Sequence, residues 1–102
     1  MNASAQSGSS WPFEEPKNVA VITTTPVMRN HQPILFVSHD ADDGAWQFHT
    51  DGNVSTDDVI TVALWRIVEL DPSVKELANL PLDWVAIRQT PSEAWIRFRK
   101  QK

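Results

Sequence analysis

No cysteine occurs in the 102 residues, which removes disulfides, thiolate zinc sites, iron–sulfur clusters and cysteine nucleophiles together. Glycine is scarce, standing only at positions 8, 44 and 52, so there is no glycine-rich phosphate loop. Neither a G-x-S-x-G elbow nor an S-x-x-K motif is present. No stretch approaches the roughly 20 apolar residues that span a bilayer. The opening MNASAQSGSS carries no Lys, no Arg and no apolar run, which reads as a cytoplasmic protein with no membrane association. Lys and Arg are missing from Asn30 to Trp65, where Asp40, Asp42, Asp43, Asp51, Asp57 and Asp58 all fall. From Arg88 onward the balance reverses, with Arg88, Arg97, Arg99, Lys100 and Lys102 against Glu93. The folded domain is therefore expected to be electrically polarised. The formal net charge of −4 argues against a nucleic-acid partner, which usually meets a basic surface.

What remains is an ordinary globular balance of 41% hydrophobic and 22% charged residues, on a length that accommodates one core. Residues 1–17 are Ser-rich and Pro-punctuated and read as a flexible N-terminal tail, with 18–102 a single α+β domain. Trp11 and Phe13 are unusual in such a tail and point to docking on the domain itself or, as the alternative, on a partner.

Val19 to Thr24 is the first strand candidate, followed by a loop through Asn30 and Pro33. Ile34 to His39 and Trp46 to His49 form a hairpin; closing it with Asp40–Gly44 as the loop sets Phe36 against Phe48 and Ser38 against Trp46. The strongest helix signal opens with Ser55 or Thr56 as cap and Asp57 and Asp58 in the first turn, and runs to Leu70. On that helix Val59, Ile60, Ala63, Leu64, Ile67, Val68 and Leu70 share one half of the wheel, whereas Trp65 falls among the polar residues. Asp71-Pro72-Ser73 then caps a short second helix through about Leu77, with proline at its first position.

With Thr90–Glu93 as a second hairpin loop, Ile87 pairs with Ile96, Val85 with Phe98, Arg88 with Trp95 and Trp84 with Arg99. One side is then apolar throughout and the other alternates Trp with Arg, a separation that a one-residue slip would destroy. The order β-β-β-α-α-β-β predicts an antiparallel sheet of about five strands with two helices on one face.

The His39–Asp51 hairpin is where metal chemistry would have to come from, with His39, Asp40, Asp42 and Asp43 as candidate ligands. Its two imidazoles sit at opposite ends of the expected hairpin, and the run does not follow an EF-hand loop, so it reads as a turn-forming Asp cluster with no metal and no cofactor. A small hydrolase or metal-dependent enzyme built on that hairpin is the alternative function. The leading one is a non-enzymatic protein-binding module. Trp65, Trp84, Arg88, Trp95, Arg97 and Arg99 are its candidate contact residues, because Trp and Arg dominate interface hot spots and stack on each other. The chain itself is expected to be a monomer or a weak homodimer.

Three segments, Asp42-Asp43-Gly44-Ala45-Trp46-Gln47-Phe48, Ile67-Val68-Glu69-Leu70-Asp71-Pro72-Ser73-Val74 and Leu80-Pro81-Leu82-Asp83-Trp84, resemble a bacterial family of small domains of unknown function grouped with the immunity proteins of polymorphic toxin systems. The resemblance runs from about Val19 to Arg97, and the chain departs from it around residues 50 to 57, where the segment before the helix is short. It implies a non-enzymatic binder that neutralises a toxin or serves as a small adaptor, and it assigns no catalytic residues.

Overall fold

The computed structural model describes residues 11–100; residues 1–10, most of the expected tail, lie outside them. The elements are β1 (Ala20–Thr24), α1 (Thr25–Asn30), β2 (Phe36–His39), β3 (Trp46–His49), a 3-10 turn (Thr56–Asp58), β4 (Val59–Ala63), α2 (Leu64–Leu70), a 3-10 helix (Pro72–Leu77), β5 (Trp84–Ile87) and β6 (Ile96–Arg99). The strands form one mixed six-stranded sheet in the order β4-β1-β3-β2-β5-β6. The fold is thus α+β, as the sequence predicts. The sheet has one strand more than expected and is not purely antiparallel, because β1 runs parallel to β3.

The extra strand comes from the first half of the expected long helix. Val59, Ile60, Thr61 and Val62 are β-branched, a bias that lowers helix and raises strand preference. They pair with all of β1, from Thr24↔Val59 to Ala20↔Ala63. Of the expected helix, Thr56–Asp58 forms a 3-10 turn with Ser55 Oγ accepting from Asp57 N–H, and only Leu64–Leu70 is α-helical, burying Leu64 and Ile67 and leaving Trp65 43% exposed. The second helix starts where expected: Asp71 caps it through Ser73 N–H and Pro72 opens it, in 3-10 rather than α form. Thr25–Asn30, expected as loop, makes one helical turn with Pro26 in its first turn and ends on His31 in a left-handed conformation.

The first hairpin is one residue out of the expected register. Phe36 faces His49 and Val37 faces Phe48, because the turn holds one residue more. Asp40 N–H donates to Ala45 C=O at 2.8 Å, and Gly44 N–H donates to Asp40 C=O at 2.9 Å. Gly44 sits at φ 75°, a conformation glycine adopts without steric cost. The slip moves Phe36 to the sheet face opposite Trp46 and Phe48, so the expected row of three aromatics is split.

The strand pairings assign every sheet residue to one of two faces. Val21, Thr23, Trp46, Phe48, Val37 and Ala86 point to the helical face and are buried with Leu64, Ile67, Val74 and Leu77. The segment before β1 closes this core. Phe13 is 5% exposed and meets Trp46 edge-on at 5.4 Å, Trp46 Nε1 donates to Glu15 Oε2 at 3.0 Å, and the backbone of Leu64 and Trp65 donates to Val19 and Lys17 carbonyls. Trp11 and Phe13 therefore dock on their own domain. The other face of the sheet, here termed the open face, carries Phe36, Ser38, Gln47, His49, Val85, Ile87, Ile96 and Phe98.

Candidate binding surface

The C-terminal hairpin has the register read from sequence: Trp84↔Arg99, Val85↔Phe98, Ala86↔Arg97 and Ile87↔Ile96. Its orientation is the reverse of the one implied by an outward Trp/Arg side. Arg88 is 6% exposed, and Trp84 and Trp95 pack against the core beneath the helices.

Arg88 explains the reversal. Its Nε and Nη2 donate to Ile34 C=O at 3.1 and 2.9 Å, Nη1 donates to Ser73 Oγ at 3.0 Å and Pro91 C=O at 3.1 Å, and Nη2 donates to Asp71 Oδ2 at 2.7 Å. All of the guanidinium's N–H donors are thereby placed, and its plane lies 4.0 Å from the Trp95 ring centroid. Asp71 uses its other carboxylate oxygen on Ser73 N–H and Oγ, so the cap of the 3-10 helix and the end of β5 are one hydrogen-bonded unit. Trp95 Nε1 is buried with no partner among the described residues. Of the other candidate contacts, Arg97 donates to Asn79 Oδ1 and Glu76 C=O, both at 2.7 Å. Arg99 is largely exposed, its Nε 3.6 Å from Asp83 Oδ2. Trp65 stands apart on α2.

Burying Trp84, Arg88 and Trp95 turns the apolar side of the hairpin outward, while Arg97 and Arg99 stay exposed at the edge. Val85 is buried yet lies outside the main core cluster. Ile96 is 62% and Phe98 39% exposed. With half-buried Ile87 and Phe36, which face each other across β5 and β2, they make a continuous apolar patch ending at β6. That strand is an outer edge of the sheet, and every one of its residues is exposed. Lys100 N–H donates to Asp83 C=O, which makes that pair a narrow one. The alternation of an antiparallel ladder then directs the N–H and C=O of Arg97 and Arg99 away from β5, toward solvent.

The candidate metal and enzyme residues are dispersed by the same pleat. His39 lies on the helical face, stacked on Trp46 at 3.9 Å, with Nδ1 2.7 Å from Leu80 C=O. His49 lies on the open face. Asp40 accepts from Ser38 Oγ and Gln47 Nε2, and Gln47 Oε1 meets His49 Nε2 at 2.8 Å. Gln47 thus presents its oxygen to the imidazole, whose Nε2 is the donor. Asp43 accepts from Ala45 N–H, and Asp42 is exposed in the turn. Among the described residues no three of His, Cys, Asp and Glu gather into a metal-binding group. His49 does border a cleft of about 260 Å³ shared with Thr24, Thr50, Asp51 and Asp58. Burial holds the His49 pKa below its ordinary 6.5, with Asp40 and then Asp51 opposing that shift.

Sequence reading missed the open-face patch as a surface because it took the apolar side of the hairpin for the core. The signal that identifies it is Arg88: an arginine bracketed by Asp71 and Ser73 in a capping motif has burial partners that the apolar side lacks. No helix among the described residues is long and apolar enough to cross a membrane. Comparison with protein-family models, with curated proteins and with solved structures finds no match to this chain.

Proposed function

We propose that this chain is a non-enzymatic protein-binding module, immunity- or adaptor-like, whose contact surface is the open sheet face where it meets β6. The observation that carries the reading is the exposure of Ile96 (62%) and Phe98 (39%) side by side on an edge strand, beside Ile87 and Phe36. A contiguous exposed apolar patch is costly to leave in water and marks interaction sites. The resemblance to immunity proteins of toxin systems points the same way.

In this reading Arg97 and Arg99 belong to the surface as its charged rim, while Trp84, Arg88 and Trp95 brace the strand pair from beneath. A cytoplasmic setting and a protein partner follow from it; nucleic acid does not suit an apolar patch on an acidic chain. The test is recovery of a partner from the native host by the parent and by Ile96→Glu/Phe98→Glu, with thermal melting of both. Loss of one specific protein with an unchanged melt supports the reading. Retention of that protein removes it.

A further inference from the structure

From the same surface, and resting on the binding reading above, we infer that the partner docks by adding an extended strand to β6, and that this strand alternates apolar with acidic residues. The backbone supplies the first requirement. Arg97 and Arg99 each turn an N–H and a C=O outward from the last strand of the sheet, and a strand laid beside them satisfies both pairs. An extended segment places successive side chains on opposite faces. One set of its residues therefore meets Ile96 and Phe98 on the open face, and the other set meets Arg97 and Arg99.

The side chains supply the second requirement. Arg97 donates to two neutral oxygens, the Asn79 amide and the Glu76 carbonyl. Arg99 keeps 73% of its side chain in solvent even with Asp83 Oδ2 3.6 Å from its Nε, and Lys100 is exposed directly after it. The edge is basic although the chain is acidic overall, so a carboxylate opposite either arginine is attracted where a lysine is repelled. Charges on an edge strand also serve to discourage pairing. That protective role leaves unexplained why the same strand exposes isoleucine and phenylalanine on its other face.

A second copy of the chain fits less well. In an antiparallel pair of two β6 strands centred on Arg97, that residue opposes itself; centred on Phe98, Arg97 opposes Arg99 of the copy. Either register sets guanidinium against guanidinium.

The experiment uses the full chain and a short synthetic peptide alternating valine with glutamate. Two controls accompany it: the same peptide with lysine for glutamate, and one N-methylated on the backbone nitrogens that would face the edge. The inference predicts saturable binding of the glutamate peptide that weakens with salt, with exchange at the Arg97 and Arg99 amides slowed about tenfold or more. The lysine peptide binds at least tenfold less, and N-methylation abolishes binding. Equal binding of the N-methylated peptide, or no slowing of those two amides, overturns strand addition. Protection of both amides in the free chain together with a concentration-dependent dimer overturns it as well, by making the copy the occupant. If the peptide fails while Ile96→Glu/Phe98→Glu still loses the native partner, strand addition falls and the binding surface stands; if that variant keeps the partner, both fall.

Discussion

Arg88 and Asp71, 17 residues apart in sequence, are joined by a 2.7 Å bond between Nη2 and Oδ2, and that pair decides which side of the C-terminal hairpin faces the core. The guanidinium is buried and multiply bonded, so its charge is compensated where it stands. Any other orientation of the hairpin would leave Asp71, the Ile34 carbonyl and the Trp95 ring without it.

Replacing Arg88 by Ala should therefore destabilise the fold by about 3–5 kcal/mol, the usual cost of breaking a buried pair. Arg88→Lys should recover little of this, because an ammonium cannot reproduce the planar fork. Thermal melting by circular dichroism checks it. A fall of roughly 10 °C or more is expected for both variants, against a small shift for Arg99→Ala, whose side chain is exposed.

Phe13 provides a second test, of whether the segment ahead of β1 is part of the domain. It is 5% exposed, 5.6 Å from the Trp11 ring and 5.4 Å from Trp46. Truncation to Ala should cost about 3–5 kcal/mol, the range for emptying a buried aromatic site. Chemical denaturation measures it. A change within about 0.5 kcal/mol, the range of neutral surface substitutions, would show that the segment is not packed there.

His49 gives a pH dependence of stated sign. Burial holds its folded pKa below 6.5, so at mildly acid pH the unfolded chain binds a proton that the folded chain refuses. Stability is then unaffected above pH 6.5 and declines as pH falls below it, until the folded pKa is reached, with a slope of at most about 1.4 kcal/mol per pH unit from this group. His49→Gln should flatten the curve below pH 6.5. Denaturation midpoints across that range decide it, and an unchanged slope in the variant would exclude His49 as the source.

Gly44 sits at φ 75° with open space where a Cβ would stand. Gly44→Ala should accordingly cost about 1–2 kcal/mol from backbone conformation alone, without a packing defect. Asp40→Ala should be costlier than its exposure suggests, because Ser38 and Gln47 both donate to its carboxylate.

Much of the fold was legible in the sequence wherever a wrong answer would have been punished. The Ile87↔Ile96 register could be read because a slip by one residue mixes tryptophan and arginine with isoleucine and phenylalanine. The Ile34–His39 strand gave no such penalty: apolar residues run almost unbroken, so a loop of one more residue, Asp40 to Ala45, fitted as well as the shorter one. Val59 and Ile60 satisfied a helical wheel while Val62 fell on its polar half, and pairing along β1 settled the matter, a long-range contact that no local pattern contains. The Asp71-Pro72-Ser73 cap was readable because its signals are local. For the candidate surface, the residues were visible and their side was not. Ile96 and Phe98 look like core by hydrophobicity, and Trp84, Arg88 and Trp95 look like surface until the partners of Arg88 are known.

Partner recovery by Ile96→Glu/Phe98→Glu, compared with Trp65→Ala and the parent at matched folding, bears most directly on where this protein binds. The open-face surface requires that the double variant lose its partner and that Trp65→Ala keep it. The opposite result would place binding on the exposed tryptophan of α2 and contradict the assignment to β6.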